Sequence, residues 1–251
     1  MFNRWKTAKT STLELTNLQR DFFSVIGVNW DIASRKVISL VGQHTDLKSH
    51  RSQHYELFVG ISQLINPKRI LEIGTADATF TQFLTVAYPE AIIETIDLPA
   101  SDQRFWNATD EVKQSNDGIQ IESQELKKRN EKIDSSSNVR FREINSLWLS
   151  RMNEEKYDLI WVDGDHTFPV VACDVANAVR LLSNQGVMIC DDIYLSDGRK
   201  GRWGSDESYK TLRAFSNANI ISLNFVLKSI RPEKNFNESV KKYLSISMLK
   251  T

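Results

Sequence analysis

The sequence predicts an α/β fold built on a doubly wound, mostly parallel sheet, and three observations carry that prediction. First, four short runs are apolar, rich in β-branched residues, and end at or near an acid: Arg69–Gly74, Ala91–Asp97, Tyr157–Asp163 and Gly186–Asp192. Near-continuous apolar runs suit parallel strands whose two faces are both covered by helices. Second, helical patterns lie between them. Thr79–Tyr88 follows the first run, and Val170–Leu182 follows the third with Val171, Val175, Val179 and Leu182 on one stripe. Third, strand and helix alternate, as a doubly wound sheet requires.

The remaining elements fit around this repeat. Residues 1–66 read as a mainly helical N-terminal extension packed on the core, with Gln53–Leu64 its clearest helix; residues 67–251 read as the main domain. Pro99–Asn138 (99–138) is a polar insertion. It holds a charged helix at Ile119–Ile133 and a loop at Asp134–Asn138. The insertion reads either as a solvated helix on one sheet face or as a cap over a ligand site. Val139–Ile144 is a further strand. Ile220–Leu227 and Tyr243–Met248 read as an antiparallel hairpin at one edge of the sheet.

Bulk properties narrow the partners. The 32 basic and 32 acidic residues cancel, which argues against a nucleic-acid partner, since that demands a basic face. No apolar run approaches the ~20 residues of a membrane helix, and Met1–Lys6 lacks the apolar core of a signal peptide. A cytoplasmic protein acting on a small molecule is expected, with a homo-oligomer compatible. Cys173 and Cys190 each close an apolar run and are expected to be reduced, buried and structural.

The first strand, turn and helix form a ligand-binding pattern. Gly74 stands where the chain leaves the sheet, so a ligand can approach the backbone there. Asp97 ends the next strand, about twenty residues on, where a carboxylate can accept from a ribose diol. Taken alone, this fits a nicotinamide or flavin dinucleotide. That fingerprint needs glycines at positions 74, 76 and 79, and the sequence has Gly74, Ala76 and Thr79. Asp77 would also oppose a pyrophosphate. S-adenosylmethionine carries no phosphate, and its sulfonium and amino groups are cationic, so Glu72 and Asp77 suit it. Alternatively Glu72 and Asp77 are a polar strand end and a helix cap.

Leu71-Glu72-Ile73-Gly74-Thr75 resembles the first motif of the class I S-adenosylmethionine-dependent methyltransferases, and Thr95-Ile96-Asp97 resembles their ribose-binding strand end. The resemblance implies a Rossmann-like, seven-stranded sheet. It also implies cofactor contacts at Glu72, Gly74, Thr75, Asp77, Asp97 and Asp163. Asn145-Ser146, after the strand Val139–Ile144, resembles the segment that contacts the adenine.

The third and fourth strands end Val162-Asp163-Gly164-Asp165-His166 and Cys190-Asp191-Asp192. As neighbouring strands roughly 4.8 Å apart they would gather Asp163, Asp191 and Asp192. Crowded carboxylates repel unless neutralised, and a hard cation (Mg²⁺ first, then Mn²⁺ or Ca²⁺) would do so. His166, three residues past Asp163, can reach the same mouth as a general base. Alternatively Asp163 and Asp192 cap helices, Asp191 serves a turn, and His166 is a satisfied loop histidine.

The constellation resembles the metal-dependent O-methyltransferases of the catechol, caffeoyl-coenzyme A and macrolide-sugar types. That resemblance implies Asp163, Asp191 and Asp192 as metal ligands. The sugar-modifying types share histidine at His166 where the others carry lysine, which favours a sugar-like hydroxyl as acceptor. The competing readings are a metal-independent methyltransferase of the same fold acting on O or N, an NAD-binding oxidoreductase, and a non-catalytic binding protein. The glycine- and cation-rich run Ser196–Gly204 reads either as a lid with Trp203 as a stacking surface or as an ordinary exposed loop. Phe105, Trp106 and Phe168 are pocket candidates that fit a core position better. His54 and Tyr55, on the helix before the first strand, lie where the family can cover its cofactor.

Overall fold

The computed structural model describes residues 12–43, 54–99, 101–102, 118–151, 155–195, 200–201, 204–232 and 239–250, and every structural statement concerns these. Five strands run parallel: β1 (Arg69–Ile73), β2 (Ile92–Asp97), β3 (Val139–Glu143), β4 (Tyr157–Val162) and β5 (Leu182–Ile193), in the spatial order β3-β2-β1-β4-β5. Two two-residue strands, β6 (Lys200–Gly201) and β7 (Gly204–Ser205), continue from the end of β5. The late pair, β8 (Ile221–Pro232) and β9 (Ser239–Leu249), is antiparallel, with β9 also antiparallel to β5. The seven long strands form the Rossmann-like sheet that the sequence predicts, with the antiparallel pair at its edge. Both late strands run several residues past their predicted ends.

Side chains alternate between two cores, as the strand period of two dictates. Ile70, Leu159, Trp161, Val187 and Ile189 join one cluster, while Leu71, Ile160, Val162, Met188 and Cys190 join the other. The first cluster takes in α1 (Thr12–Val25), α2 (Trp30–Gln43), α3 (His54–Ile61) and α4 (Thr79–Ala87), through Phe23, Val37, Phe58 and Phe83. The second takes in α6 (Val170–Leu181) and α7 (Asp206–Asn217), through Val175 and Leu212. The N-terminal helices thus share one apolar cluster with the sheet. The insertion helix α5 (Gly118–Asp134) matches its predicted span within a residue at each end. Residues 103–117, and with them Phe105 and Trp106, lie outside the described residues.

Three expectations need correction. Helix α3 stops at Ile61; the next three amides form tight-turn bonds back to Val59, Gly60 and Ile61 as the chain approaches Pro67. Cys173 is exposed, because the helical period buries Val171, Val175 and Ala178 and turns position 173 outward; Cys190 is buried as expected. Phe168 is 66 % exposed rather than core.

Strand order reverses at β1, between β2 and β4, which opens a crevice at the carboxyl ends of β1 and β4. The turn above it is tightly constrained. Gly74 has φ 100°, and a Cβ there would lie 2.4 Å from the Asp163 carbonyl oxygen. The sequence points to ligand access at Gly74; the structure adds that neighbouring backbone already demands a glycine. Ala76 and Ala78 also hold left-handed backbone, at φ 47° and 59°. The Ala76 N–H donates to Asp97 Oδ2 at 2.8 Å, which helps hold that strained residue.

Glu72 is fully buried on β1 and accepts from Thr81 Oγ1 of α4 at 2.6 Å, while its Oε1 has no hydrogen-bond partner. Burial, opposed by the threonine bonds, pushes its carboxyl up to about 8. The folded protein therefore keeps a proton that the unfolded chain releases, so this contribution is full below the unfolded value and is lost as pH rises through 8.

Two expectations follow. Wild-type stability falls by up to about 1.4 kcal/mol per pH unit across that window from this group, and Glu72→Gln removes that part of the slope. Thermal unfolding of both proteins between about pH 5 and pH 9 checks it; parallel curves would refute the assignment. Separately, Ala76→Gly relieves left-handed strain at an exposed site and stabilises the protein by roughly 0.5–1 kcal/mol, read as a higher Tm by calorimetry.

Candidate active site

The crevice brings most of the predicted cofactor residues together. Asp97 accepts the Ala76 amide through one oxygen and the Leu98 amide through the other, both at 2.8 Å. Each carboxylate oxygen has a second lone pair, so a ribose hydroxyl can still be accommodated. Burial holds the Asp97 carboxyl above the usual aspartate value against those amide bonds. Thr75 is buried, its hydroxyl 2.6 Å from that of Thr95 on β2.

Asp77 accepts from the Thr79 amide and hydroxyl at 3.0 and 2.6 Å, so it orders the start of α4. Lys132 of α5 donates to the Asp77 carbonyl at 2.9 Å, to its carboxylate at 3.2 Å and to Thr79 Oγ1 at 2.8 Å. The end of the insertion helix is therefore fastened to the turn after β1. Asn145 Oδ1 accepts the Leu147 amide at 3.0 Å, opening a short 3-10 helix (Ser146–Arg151). Behind it, Asp174 of α6 is fully buried, and burial pushes its carboxyl up to about 6.

The loop after β4 carries the candidate base. His166 Nε2 lies 3.6 Å from Asp163 Oδ1, an ion-pair separation longer than a hydrogen bond. The loop is held in three places. Asp165 Oδ1 accepts the Thr167 amide and hydroxyl at 2.8 and 2.6 Å. Glu207 of α7 accepts the Phe168 amide at 2.7 Å. Ser208 Oγ donates to the His166 carbonyl at 3.3 Å. Burial disfavours a charged His166, but Asp163, Asp191 and Asp192 outweigh it and raise the imidazole above its ordinary value. Burial, then the charge of Asp191, pushes the Asp163 carboxyl up.

Asp191 and Asp192 meet cations already present in the chain. The β5–β9 register shifts between Cys190 and Ile193, so both acids fall in a bulge, and Asp192 takes φ 51°. A second shift, between Leu227 and Ser229 in the β8–β9 pair, puts Lys228 in a bulge of β8. Lys228 Nζ donates to both oxygens of Asp191 at 2.6 Å and to Asp192 Oδ1 at 2.7 Å. Lys242 Nζ of β9 donates to Asp192 Oδ2 at 2.8 Å. The four side chains are almost wholly buried, Lys228 being the most exposed at 12 %. Lys228 overcomes the burial penalty on Asp191 and holds that carboxylate well below its usual range; reciprocally, the acids raise Lys228.

His54, at the start of α3, lies nearby. Its ring centroid is 4.8 Å from that of Phe80 and 5.5 Å from that of Trp161, and burial pushes its imidazole down to about 3. The charges of Asp191 and Lys228 act on it in opposite senses.

Of the three acids expected to hold a metal, Asp191 and Asp192 meet each other through Lys228, while Asp163 is felt there through its charge, and the arrangement does not fit a divalent cation. Every oxygen of Asp191 and Asp192 accepts from an ammonium group. Among the described residues, no group of three or more His, Cys, Asp and Glu side chains is placed to hold a metal ion. Neither lysine stands out in the sequence pattern as a site residue. The available signal was a charged residue directly flanking each late apolar run. Most of the proposed lid, including Trp203, lies outside the described residues. A hollow of about 660 Å³ at the β3 edge, lined by Asn130, Ile133, Phe141 and Glu143 among others, contains none of the predicted site residues.

Comparisons with known proteins agree with this geometry. Residues 71–193 match the family model described as a methyltransferase domain. No curated protein matches the sequence. Among solved structures, a Staphylococcus aureus protein provisionally named a caffeoyl-CoA O-methyltransferase is similar over 94 % of this chain and 99 % of its own, at 18 % identity and a TM-score of 0.51. A provisionally named O-methyltransferase from Klebsiella pneumoniae covers 79 % of each chain at 20 % identity and a TM-score of 0.50. The N-methyltransferase NodS from Bradyrhizobium japonicum covers 82 % of this chain and 97 % of its own at 14 % identity and a TM-score of 0.52. At such identities these likenesses establish the fold, and the family match supplies the chemistry. Residues 71–193 carry a methyltransferase domain, and that match together with the doubly wound sheet supports a class I S-adenosylmethionine-dependent methyltransferase.

Proposed function

We propose that the chain transfers the methyl group of S-adenosylmethionine to a hydroxyl of a small, sugar-like substrate, with His166 as the general base. One observation carries this reading: the His166–Asp163 pair stands on the loop that closes directly against Gly74 of the cofactor turn. The names of the Staphylococcus and Klebsiella structures support oxygen as the acceptor atom.

In this reading Asp97 and the turn after β1 hold the ribose end of the cofactor. His166, in its neutral form, takes the hydroxyl proton as the oxygen attacks the methyl carbon. The carbon–sulfur bond breaks, S-adenosylhomocysteine leaves, and Asp163 stabilises the imidazolium that remains. Alignment of oxygen, carbon and sulfur supplies much of the rate. No step is assigned to a divalent cation, because lysines occupy the carboxylates that would bind it.

Assay of His166→Ala against a panel of sugar, catechol and amine acceptors tests the proposal. The variant loses about 10²- to 10⁴-fold in kcat on the hydroxyl substrate while its affinity for S-adenosylmethionine, read by calorimetry, is unchanged. Full retention of kcat would defeat the base assignment; full retention on an amine alone would move the acceptor to nitrogen. Asp97→Ala weakens cofactor binding by about tenfold or more, the loss of one charge-assisted hydrogen bond, measured by the same titration.

A further inference from the structure

The carboxylates at the end of β5 sit opposite a matched pair of ammonium groups, and backbone irregularities on both sides put them there. Regular β5 and β8 strands would alternate their side chains between the two cores. The bulge at Asp191-Asp192 brings two consecutive acids into one buried place, and the bulge at Lys228 inserts one extra residue that reaches them. Lys228 bridges the two acids with three short contacts, and Lys242 takes the remaining oxygen of Asp192. Two negative and two positive charges therefore balance in a site with little access to water. A divalent ion entering it would have to expel Lys228 from Asp191 and Asp192 or add its charge beside both lysines, and either is costly in a low dielectric.

We propose that Lys228, braced by Lys242, is a resident cation in the position where a divalent metal would otherwise neutralise Asp191 and Asp192, and that it makes methyl transfer by this chain independent of such metals. Lys228 is a positioning residue: it fixes Asp191 and Asp192, whose charges act on His166. Removing its ammonium group uncovers three carboxylate oxygens of Asp191 and Asp192, which can then take a cation in its place. The assignment of Lys228 rests on the methyltransferase reading only for its catalytic consequence; the metal-binding behaviour stands on the ion-pair geometry alone.

Manganese binding to the full-length protein, followed by electron paramagnetic resonance and calorimetry, tests the geometry without any substrate. Wild type takes up no stoichiometric Mn²⁺ at millimolar concentration, and Lys228→Ala gains one site. A folded Lys228→Ala that binds no Mn²⁺, or a wild type that binds it stoichiometrically, overturns the proposal. If Lys228→Ala does not fold, the wild-type arm decides, and Lys228→Met, which keeps most of the length and removes the charge, repeats the gain of binding. In the catalytic arm, wild-type turnover stays within about twofold in chelator and in added Mg²⁺, where a metal-activated hydroxyl would lose orders of magnitude. A strict Mg²⁺ requirement also overturns the proposal. Absence of methyl transfer to every acceptor would count against the proposed function and leave the manganese result to judge Lys228.

Discussion

The ligand end of this sheet depends on how closely β1 and β4 run as they leave it. The Asp163 carbonyl approaches Gly74 so nearly that any side chain at position 74 would collide with it. Two backbone bonds fix that approach: Asp163 N–H to the Ile73 carbonyl and Gly74 N–H to the Ile96 carbonyl, each at 2.9 Å. The turn after β1 and the loop that carries His166 are therefore parts of one rigid junction. Methyl transfer demands that donor and acceptor be aligned to a fraction of an ångström, and a shared backbone contact is a stiffer way to achieve this than side-chain packing.

Around the junction the fold tolerates an unusual load of buried ionisable groups by treating each differently. Glu72 is placed so that it holds its proton. Asp191 and Asp192 keep their charge because ammonium groups meet them. His54 is held neutral by burial among aromatic rings. Asp163 and His166 lie between these extremes and moderate one another. Breaking a buried pair leaves a bare charge and typically costs about 3–5 kcal/mol, so the lysine–aspartate network also ties the β8–β9 edge to the rest of the sheet.

Much of this was legible in the sequence. The parallel strands announce themselves because burial on both faces demands continuous apolar runs. Asp97, Asp163, Asp191, Asp192 and His166 stand at strand ends, where a doubly wound sheet collects ligand-binding groups. Lys228 and Lys242 were hidden for a physical reason. Each directly borders an apolar run, after Leu227 and before Tyr243, and a lysine there reads as the solvated end of a strand. Their meeting with Asp192 spans 36 and 50 residues of chain and depends on strand pairing and two bulges, which no local pattern encodes. The reading of Cys173 failed differently: an apolar tetrad looked buried until the helical period turned its last member outward.

The origin of the two lysines has a bearing on how the protein is made. Asp191 and Asp192 belong to β5, whereas their counter-ions arrive on the final two strands. A ribosome therefore releases the acids well before the groups that neutralise them. A nascent chain that has packed its parallel strands still carries uncompensated negative charge at its growing edge, together with the unpaired flank of β5. The closing hairpin supplies both the ammonium groups and the pairing partner of β5, so one late-synthesised element neutralises the acids and covers that flank of the sheet.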